Sequence, residues 1–148
     1  MNDPLPQATQ ERFKFSNFSR LIVPITFQGI SYYTVENFYQ AMKSLDPEFH
    51  LACSKASPGQ SKKMGRTIAI RADWNQIKDD VMLYALREKF AHDPWKTELL
   101  QHAGPLVEYN YWHDNYWGHC TCSQCRDVEH HNKLGKLIEQ VKQEITKP

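Results

Sequence analysis

Tyr33-Thr34-Val35-Glu36-Asn37-Phe38-Tyr39-Gln40-Ala41-Met42-Lys43 reads as a helix with a marked start. Thr34 suits the N-cap, where its hydroxyl can accept a free N–H of the first turn. Val35, Phe38, Tyr39 and Met42 recur at helical spacing and form an apolar face. Glu36, Gln40 and Lys43 fall beside that face, so one helix edge carries a carboxylate, an amide and an ammonium in line. Spacing alone leaves two readings of this edge open. It is either a solvated border or one wall of a site.

Outward from this stretch, Ile30 to Tyr33 and the β-rich run Leu21 to Phe27 flank a turn at Gln28-Gly29, which predicts a short hairpin leading into the helix. Pro24 favours an edge position. Residues 1–10 read as a flexible lead-in. Pro47 opens a short helix over 46–54, and Ser57-Pro58 repeats that start signal before a turn that Gly65 can end. Asp73 and Gln76 suggest a capping box at the head of the longest helix. Trp74, Ile77, Val81, Tyr84, Ala85 and Phe90 are its expected buried stripe, widened by Met82 and Leu86. Asp93-Pro94 starts another helix, to Ala103, and Leu106 to Tyr109 reads as a strand. The last helix begins near Asn132, with Leu134, Leu137, Ile138, Val141 and Ile145 as its stripe. Gly135 in its first turn costs about 1 kcal/mol against Ala, which close packing or a close ligand would justify.

With 148 residues the chain can bury a sizeable core, and the expectation is one α+β, helix-dominated domain over 11–146 with a Cys-rich loop at 119–131. Lys+Arg 18 against Asp+Glu 17 gives a net charge of +1, which implies no global attraction to nucleic acid or membrane. No apolar run approaches the roughly 18 residues a membrane span needs. The first residues lack the pattern of a signal peptide, so a cytoplasmic location is expected, with reduced or metal-bound cysteines.

Two constellations carry chemistry. The first pools Glu36, the Asp114 carboxylate, and the basic residues Lys43, Arg66 and Arg71. Two carboxylates suit a hydrolysis through an oxocarbenium-like transition state, one stabilising the sugar cation or activating water and the other helping the leaving group. Lys and Arg can hold a phosphate. Asn110 to Gly118 mixes aromatic and polar residues with no sustained period, as functional loops often do, and Trp112, Tyr116 or Trp117 can stack on a planar base. The bland alternatives are a solvated basic loop and an aromatic-anchored loop.

The second constellation is Cys120-Thr121-Cys122-Ser123-Gln124-Cys125, flanked by His119 and by His130-His131. Three thiolates and one imidazole, from His119 or His130, would complete a closed, structural tetrahedral zinc site. Three free thiols, or a redox or nucleophilic role, are the competing readings. Cys53 is isolated and reads as a packing residue. No P-loop, G-x-G-x-x-G or G-x-S-x-G motif is present.

Phe15-Ser-Asn-Phe18, the 33–43 stretch, Gly65-Arg66, Arg71-Ala-Asp-Trp74, Leu106-Val-Glu-Tyr-Asn110, Trp112-His-Asp-Asn-Tyr-Trp-Gly118 and Asn132-Lys-Leu-Gly-Lys136 together resemble the NADAR, or YbiA-like, family. The resemblance runs in order from about residue 13 to residue 140. It implies a compact helix-rich α+β domain with no cofactor required for catalysis. It also implies N-glycosidase chemistry, on a small phosphoribosylamino-pyrimidine of early riboflavin synthesis or on ADP-ribosylated guanine in DNA. The alternative is a non-catalytic module that binds ADP-ribose or an NAD derivative. Carried onto this sequence, the resemblance implies catalytic work for Glu36, Asp114 and Lys43. It implies substrate contacts from Asn17, Gln40, Arg66, Arg71, Trp74, Asn110, Trp112, Trp117, Asn132 and Gly135. The Cys cluster lies outside the family pattern, so zinc stands as a separate expectation.

Overall fold

The structure is a computed structural model that describes residues 14–147. The lead-in expected at 1–10 lies outside the described residues. Six α-helices and four short strands among the described residues give the helix-dominated α+β architecture that the sequence predicts. The described residues fall into two compact units, one over Asn17–Leu99 and one over 14–16 and 100–147.

The first unit opens with the hairpin. Strand β1 (Ile25–Phe27) pairs antiparallel with β2 (Ile30–Tyr32), Thr26 facing Ser31. Gln28 and Gly29 both take positive φ, 52° and 80°, the left-handed pair that a two-residue turn between twisted strands requires. The chain then enters α1 (Val35–Ala41), capped as expected by Thr34, whose Oγ1 accepts the Asn37 N–H at 2.9 Å. The Asn37 side chain donates to the carbonyls of Cys53 and Ala56, at 2.6 and 2.8 Å. It thereby ties α1 to the end of α2 (Pro47–Lys55) and satisfies carbonyls that a helix C-terminus leaves open. Every residue of α1 is buried. A helix buried all round is a core element, so its polar residues need specific partners rather than water.

Helix α3 (Pro58–Gly65) carries a full capping box between Ser57 and Gln60. Helix α4 (Trp74–Phe90) departs from expectation at its start. Asp73 makes no side-chain cap, because its carboxylate is taken by Arg71. Its buried face also differs. Trp74, Met82, Ala85, Leu86 and Phe90 are buried, whereas Ile77 and Val81 are half-buried and Tyr84 is exposed. These last three instead line a cavity of about 530 Å³ with Phe27, Phe38 and Met42. Lys89 is buried on the apolar face, its ammonium 4.6 Å from the Trp95 ring centroid, a cation–π arrangement that a hydrophobic stripe does not foretell. Helix α5 spans Trp95–Gln101.

The second unit is built on a loop and a helix. The expected strand at 106–109 shrinks to β3 (Tyr109–Asn110), which pairs in parallel with β4 (His119–Cys120). A 3₁₀ turn covers Ser123–Cys125. Helix α6 (Lys133–Thr146) buries Leu134, Leu137, Ile138 and Val141, as its period predicts. Gly135 lies in its first turn because an added Cβ would overlap the Leu106 carbonyl oxygen. Close packing against Leu106 accounts for that glycine.

Candidate active site

In the first unit the polar edge of α1 is buried. Glu36 retains 8% of its surface and Gln40 only 4%. Removing an ionised carboxylate from water costs several kcal/mol unless it is paired and hydrogen-bonded. Gln40 supplies one such bond, its Nε2 donating to Glu36 Oε2 at 2.6 Å, one helical turn away. The other end of the Gln40 amide fills the space beside Gly65, where any Cβ would overlap Oε1. Gly65 therefore makes room for the Gln40 amide of α1. Asn17 meets the same region: its carbonyl accepts the Glu36 N–H at 3.0 Å, and its side-chain amide donates weakly to the Met82 sulfur at 3.6 Å. Asn17 Oδ1 and Gln40 Oε1 are both buried with no hydrogen-bond partner among the described residues.

Lys43 joins this edge half-buried. Burial pushes its ammonium below the ordinary lysine range, the Glu36 carboxylate pulls it back up, and the charges of Arg66 and Lys62 push it down again. Three cations and one buried carboxylate thus act on one another, and like charges held this way favour an anion among them. Arg71 stands apart in its bonding. Its guanidinium is paired with Asp73, Nε to Oδ1 at 2.6 Å and the terminal nitrogen to Oδ2 at 3.0 Å. Its Nε and one terminal nitrogen are committed to Asp73. Trp74 is buried, its ring 5.1 Å from that of Tyr39. Cys53 is fully buried and its thiol is pushed up by burial, which suits the packing role.

In the second unit Asn110 and Asp114 organise the aromatic loop. The buried Asn110 side chain accepts the N–H of Trp112 and of Asp114, at 3.2 and 3.1 Å, and donates to the Asp114 carbonyl at 2.8 Å. Asp114 Oδ1 accepts the N–H of Tyr116 and Trp117, at 3.1 and 2.9 Å. A short polar side chain bonding backbone two and three residues on is a turn-forming device. Trp112 is half exposed and forms an edge-to-face pair with the exposed Tyr111, centroids 5.1 Å apart. The partly buried Trp117 pairs likewise with Tyr116 at 4.9 Å. The α6 N-terminus is not open to an anion at its first amides. Lys133 N–H donates to the Tyr116 carbonyl and Leu134 N–H to that of Trp117, each at 2.9 Å. Asn132, in the left-handed region, bridges the Glu108 N–H and the Leu106 carbonyl. Asn110, Asn132 and Gly135 thus spend their chemistry inside the protein.

The cysteine cluster assembles with a different histidine from those expected. Cys120, Cys122, Cys125 and His113 place one ligand atom each within 4.8 Å of all the others. His119 and His130 instead stack on each other, ring centroids 3.7 Å apart, and His130 Nε2 meets the Cys125 carbonyl at 3.0 Å. Burial pushes the Cys122 thiol up. Hydrogen bonds from Cys120, Cys125 and the backbone at 124–125 outweigh that and bring it down to about 7. The sequence missed His113 because it sits seven positions before Cys120, inside the aromatic loop and outside any usual ligand spacing.

The NADAR domain model matches residues 5–146. The chain belongs to the NADAR family. The N-glycosidase YbiA of Escherichia coli is 32% identical over 136 residues, covering 88% of this chain and 80% of that protein. The NMR structure of E. coli YbiA matches with a TM-score of 0.73 at 31% identity, over 89% of this chain and 77% of that one. The chloroplastic riboflavin biosynthesis protein PYRR of Zea mays is 33% identical over 151 residues, covering 88% of this chain but 23% of the larger plant protein. Relatives so named place this NADAR chain among hydrolases of N-glycosyl compounds. Among the described residues no helix is long and apolar enough to cross a membrane.

Proposed function

We propose that this chain is an N-glycosidase that hydrolyses the bond between a phosphorylated ribose and a nitrogen-linked base. The observation that carries this reading is the buried Glu36 carboxylate, held by Gln40 at 2.6 Å beside the Lys43, Lys62 and Arg66 charges. In the step, the bond from the ribose C1′ to nitrogen breaks and its electron pair leaves with the base, which takes up a proton. Positive charge grows on C1′ and its ring oxygen. Glu36 faces that charge as a fixed carboxylate in a site poor in water, where electrostatic stabilisation is strongest. Water then adds to C1′ and gives up a proton. Lys43, Lys62 and Arg66 hold the phosphate. Asn17 and Gln40 position Glu36, the first through its backbone N–H and the second through its carboxylate. Asp114 acts by ordering its loop, since one of its oxygens already accepts two backbone N–H groups.

A phosphoribosylamino-pyrimidine is the favoured substrate over an ADP-ribosylated guanine in DNA. The maize relative is named for riboflavin biosynthesis, and a net charge of +1 offers no basic footprint for duplex DNA. The test assays both substrates side by side and scores free base and free sugar phosphate. Base release from the metabolite is expected, with Glu36→Gln lowering it by about 100-fold or more while binding persists. A wild-type chain that binds the metabolite yet releases no base is a binding module, and the hydrolase reading then fails.

A further inference from the structure

We propose that His113 Nδ1 and the sulfurs of Cys120, Cys122 and Cys125 bind one zinc ion, and that this ion locks the loop carrying Asp114. All four ligand atoms belong to the second unit. His113 Nδ1 lies 3.4 Å from Cys125 Sγ, 3.4 Å from Cys122 Sγ and 3.9 Å from Cys120 Sγ. Cys120 and Cys122 sulfurs are 3.4 Å apart. Around a tetrahedral zinc with bonds of about 2.3 Å to sulfur and 2.0–2.1 Å to nitrogen, the ligand atoms stand roughly 3.5–3.8 Å from one another. These four separations, at 3.4–3.9 Å, are close to that spacing, and all four atoms lie within 4.8 Å of one another. This arrangement suits a single ion, because an iron–sulfur cluster is several atoms wide and spreads its ligands further. All four cysteines of the chain are free thiols, so no disulfide competes for these sulfurs.

The surroundings fit a metal as well as the ligands do. Cys120 and Cys125 are buried, and the His113 backbone N–H donates to Cys120 Sγ at 3.3 Å, the outer bond that a thiolate ligand needs. The Asn115 side chain fixes the Cys120 backbone N–H at 2.8 Å. His113 itself takes the left-handed conformation, φ 70°, which a non-glycine residue rarely adopts. Zinc binding takes up the ion and releases the thiol protons. No electron moves and no co-reactant is required. With four protein ligands no position stays open for water, so the ion is structural. Its ligands come from the β3–β4 connection, from β4 itself and from the turn that follows, and the first of them is the residue between Trp112 and Asp114. The ion therefore closes the loop 110–125 on itself.

The experiment uses the full chain, expressed untagged and purified under reducing conditions. It measures zinc content directly and again after reconstitution with Zn²⁺ alone. One zinc per chain is expected. Replacement by Co²⁺ is expected to give the visible bands of a tetrahedral ion and near-ultraviolet thiolate charge transfer. Zinc is expected to fall in His113→Ala and Cys122→Ser and to stay stoichiometric in His119→Ala and His130→Ala. Because a misfolded variant would also lose zinc, wild-type protein is stripped with a chelator as well, and amide hydrogen exchange is compared before and after. Faster exchange over 110–125, with α1 unchanged, is the expected pattern. Clearly substoichiometric metal after reconstitution overturns the site, as does a Co²⁺ spectrum without thiolate bands. Full zinc in His113→Ala with loss in His119→Ala or His130→Ala overturns the ligand set. Unchanged exchange on zinc removal overturns the locking role.

Discussion

The Gln40 side-chain amide is clamped between two residues of different elements: its Nε2 donates to Glu36 at 2.6 Å, and its Oε1 fills the space that a Cβ on Gly65 would need. Gly65 ends α3 with an ordinary helical backbone, so Gly65→Ala meets no backbone strain there. Alanine in a helix is favoured over glycine by roughly 0.5–1 kcal/mol. The obstacle is the Gln40 amide alone, which must swing away and release Glu36. Losing a hydrogen bond to a buried charge outweighs that gain, so Gly65→Ala is expected to lower Tm modestly and to lower kcat by about 10-fold or more, as misplaced positioning groups do. Thermal melts and base-release assays on one preparation check this. A fully active Gly65→Ala would detach Gln40 from catalysis.

Lys43 gives a prediction with a definite sign. Burial and the Arg66 and Lys62 charges hold its folded-state pKa below the ordinary lysine value, with Glu36 offsetting only part of this. Between the lowered folded value and the ordinary unfolded value, the unfolded chain binds more protons, so stability rises with pH in that window. Below it, the charged Lys43 costs the folded state free energy. Lys43→Met keeps most of the stem and removes the charge. It is expected to melt no lower than wild type at pH 7, and wild type should close the gap as pH rises toward 10. At the same time KM for a phosphorylated substrate should rise. Chemical denaturation across that pH range reads the first effect. A wild type that instead loses ground to Lys43→Met with rising pH would show that Lys43 is stabilised by its charge.

Local signals in the sequence were enough for most elements. Thr34, Asp46, Ser57 and Asn132 marked helix starts, and the period of 134–141 gave the buried face of α6. Where a side chain has a rival partner, local signals mislead. Asp73 looks like a cap and is drawn off by Arg71, two residues away. Burial of Glu36 and Gln40 was equally hidden, since a helix edge is covered only by what packs over it, and Gly65 lies in a different helix. The basic run 62–66 did contain Lys62 and Arg66, which act on Lys43, while Arg71 is held by Asp73. His113 escaped because metal spacing is read along the chain, whereas the β3–β4 pairing brings the loop back onto the cysteines.

Asn132 and Gly135 are expected to matter for stability and not for phosphate. Asn132 satisfies both the Glu108 N–H and the Leu106 carbonyl, at 3.1 and 2.9 Å. Asn132→Ala leaves both without that partner, at about 1–3 kcal/mol for each group left buried and unpaired. Gly135→Ala drives a Cβ into the Leu106 carbonyl oxygen, a backbone atom that cannot step aside cheaply. A loss of about 1–3 kcal/mol is expected from such overpacking. Both variants, assayed well below their melting temperatures, should keep KM for a phosphorylated substrate within about twofold, since surviving contacts to it are unchanged. A KM raised by about tenfold in Asn132→Ala, with Tm intact, would return this turn to the phosphate site.

Asp114 and Glu36 should separate under matched substitutions. Asn at 114 keeps an oxygen that can accept the Tyr116 and Trp117 N–H groups, and loses only the charge. If Asp114 orders its loop, Asp114→Asn should retain turnover within about 10-fold of wild type, whereas Asp114→Ala removes the acceptor and falls further. Glu36 faces the opposite test. Gln there can still meet Gln40 through its own amide, yet it cannot oppose a growing positive charge. Glu36→Gln should therefore lose about 100-fold or more in kcat at nearly unchanged binding, the pattern of an interaction made in the transition state. Steady-state kinetics of the three variants decide the matter. Equal and large losses in Glu36→Gln and Asp114→Asn would make the charge of Asp114 part of the chemistry, and its turn hydrogen bonds would then be the scaffold that aims it.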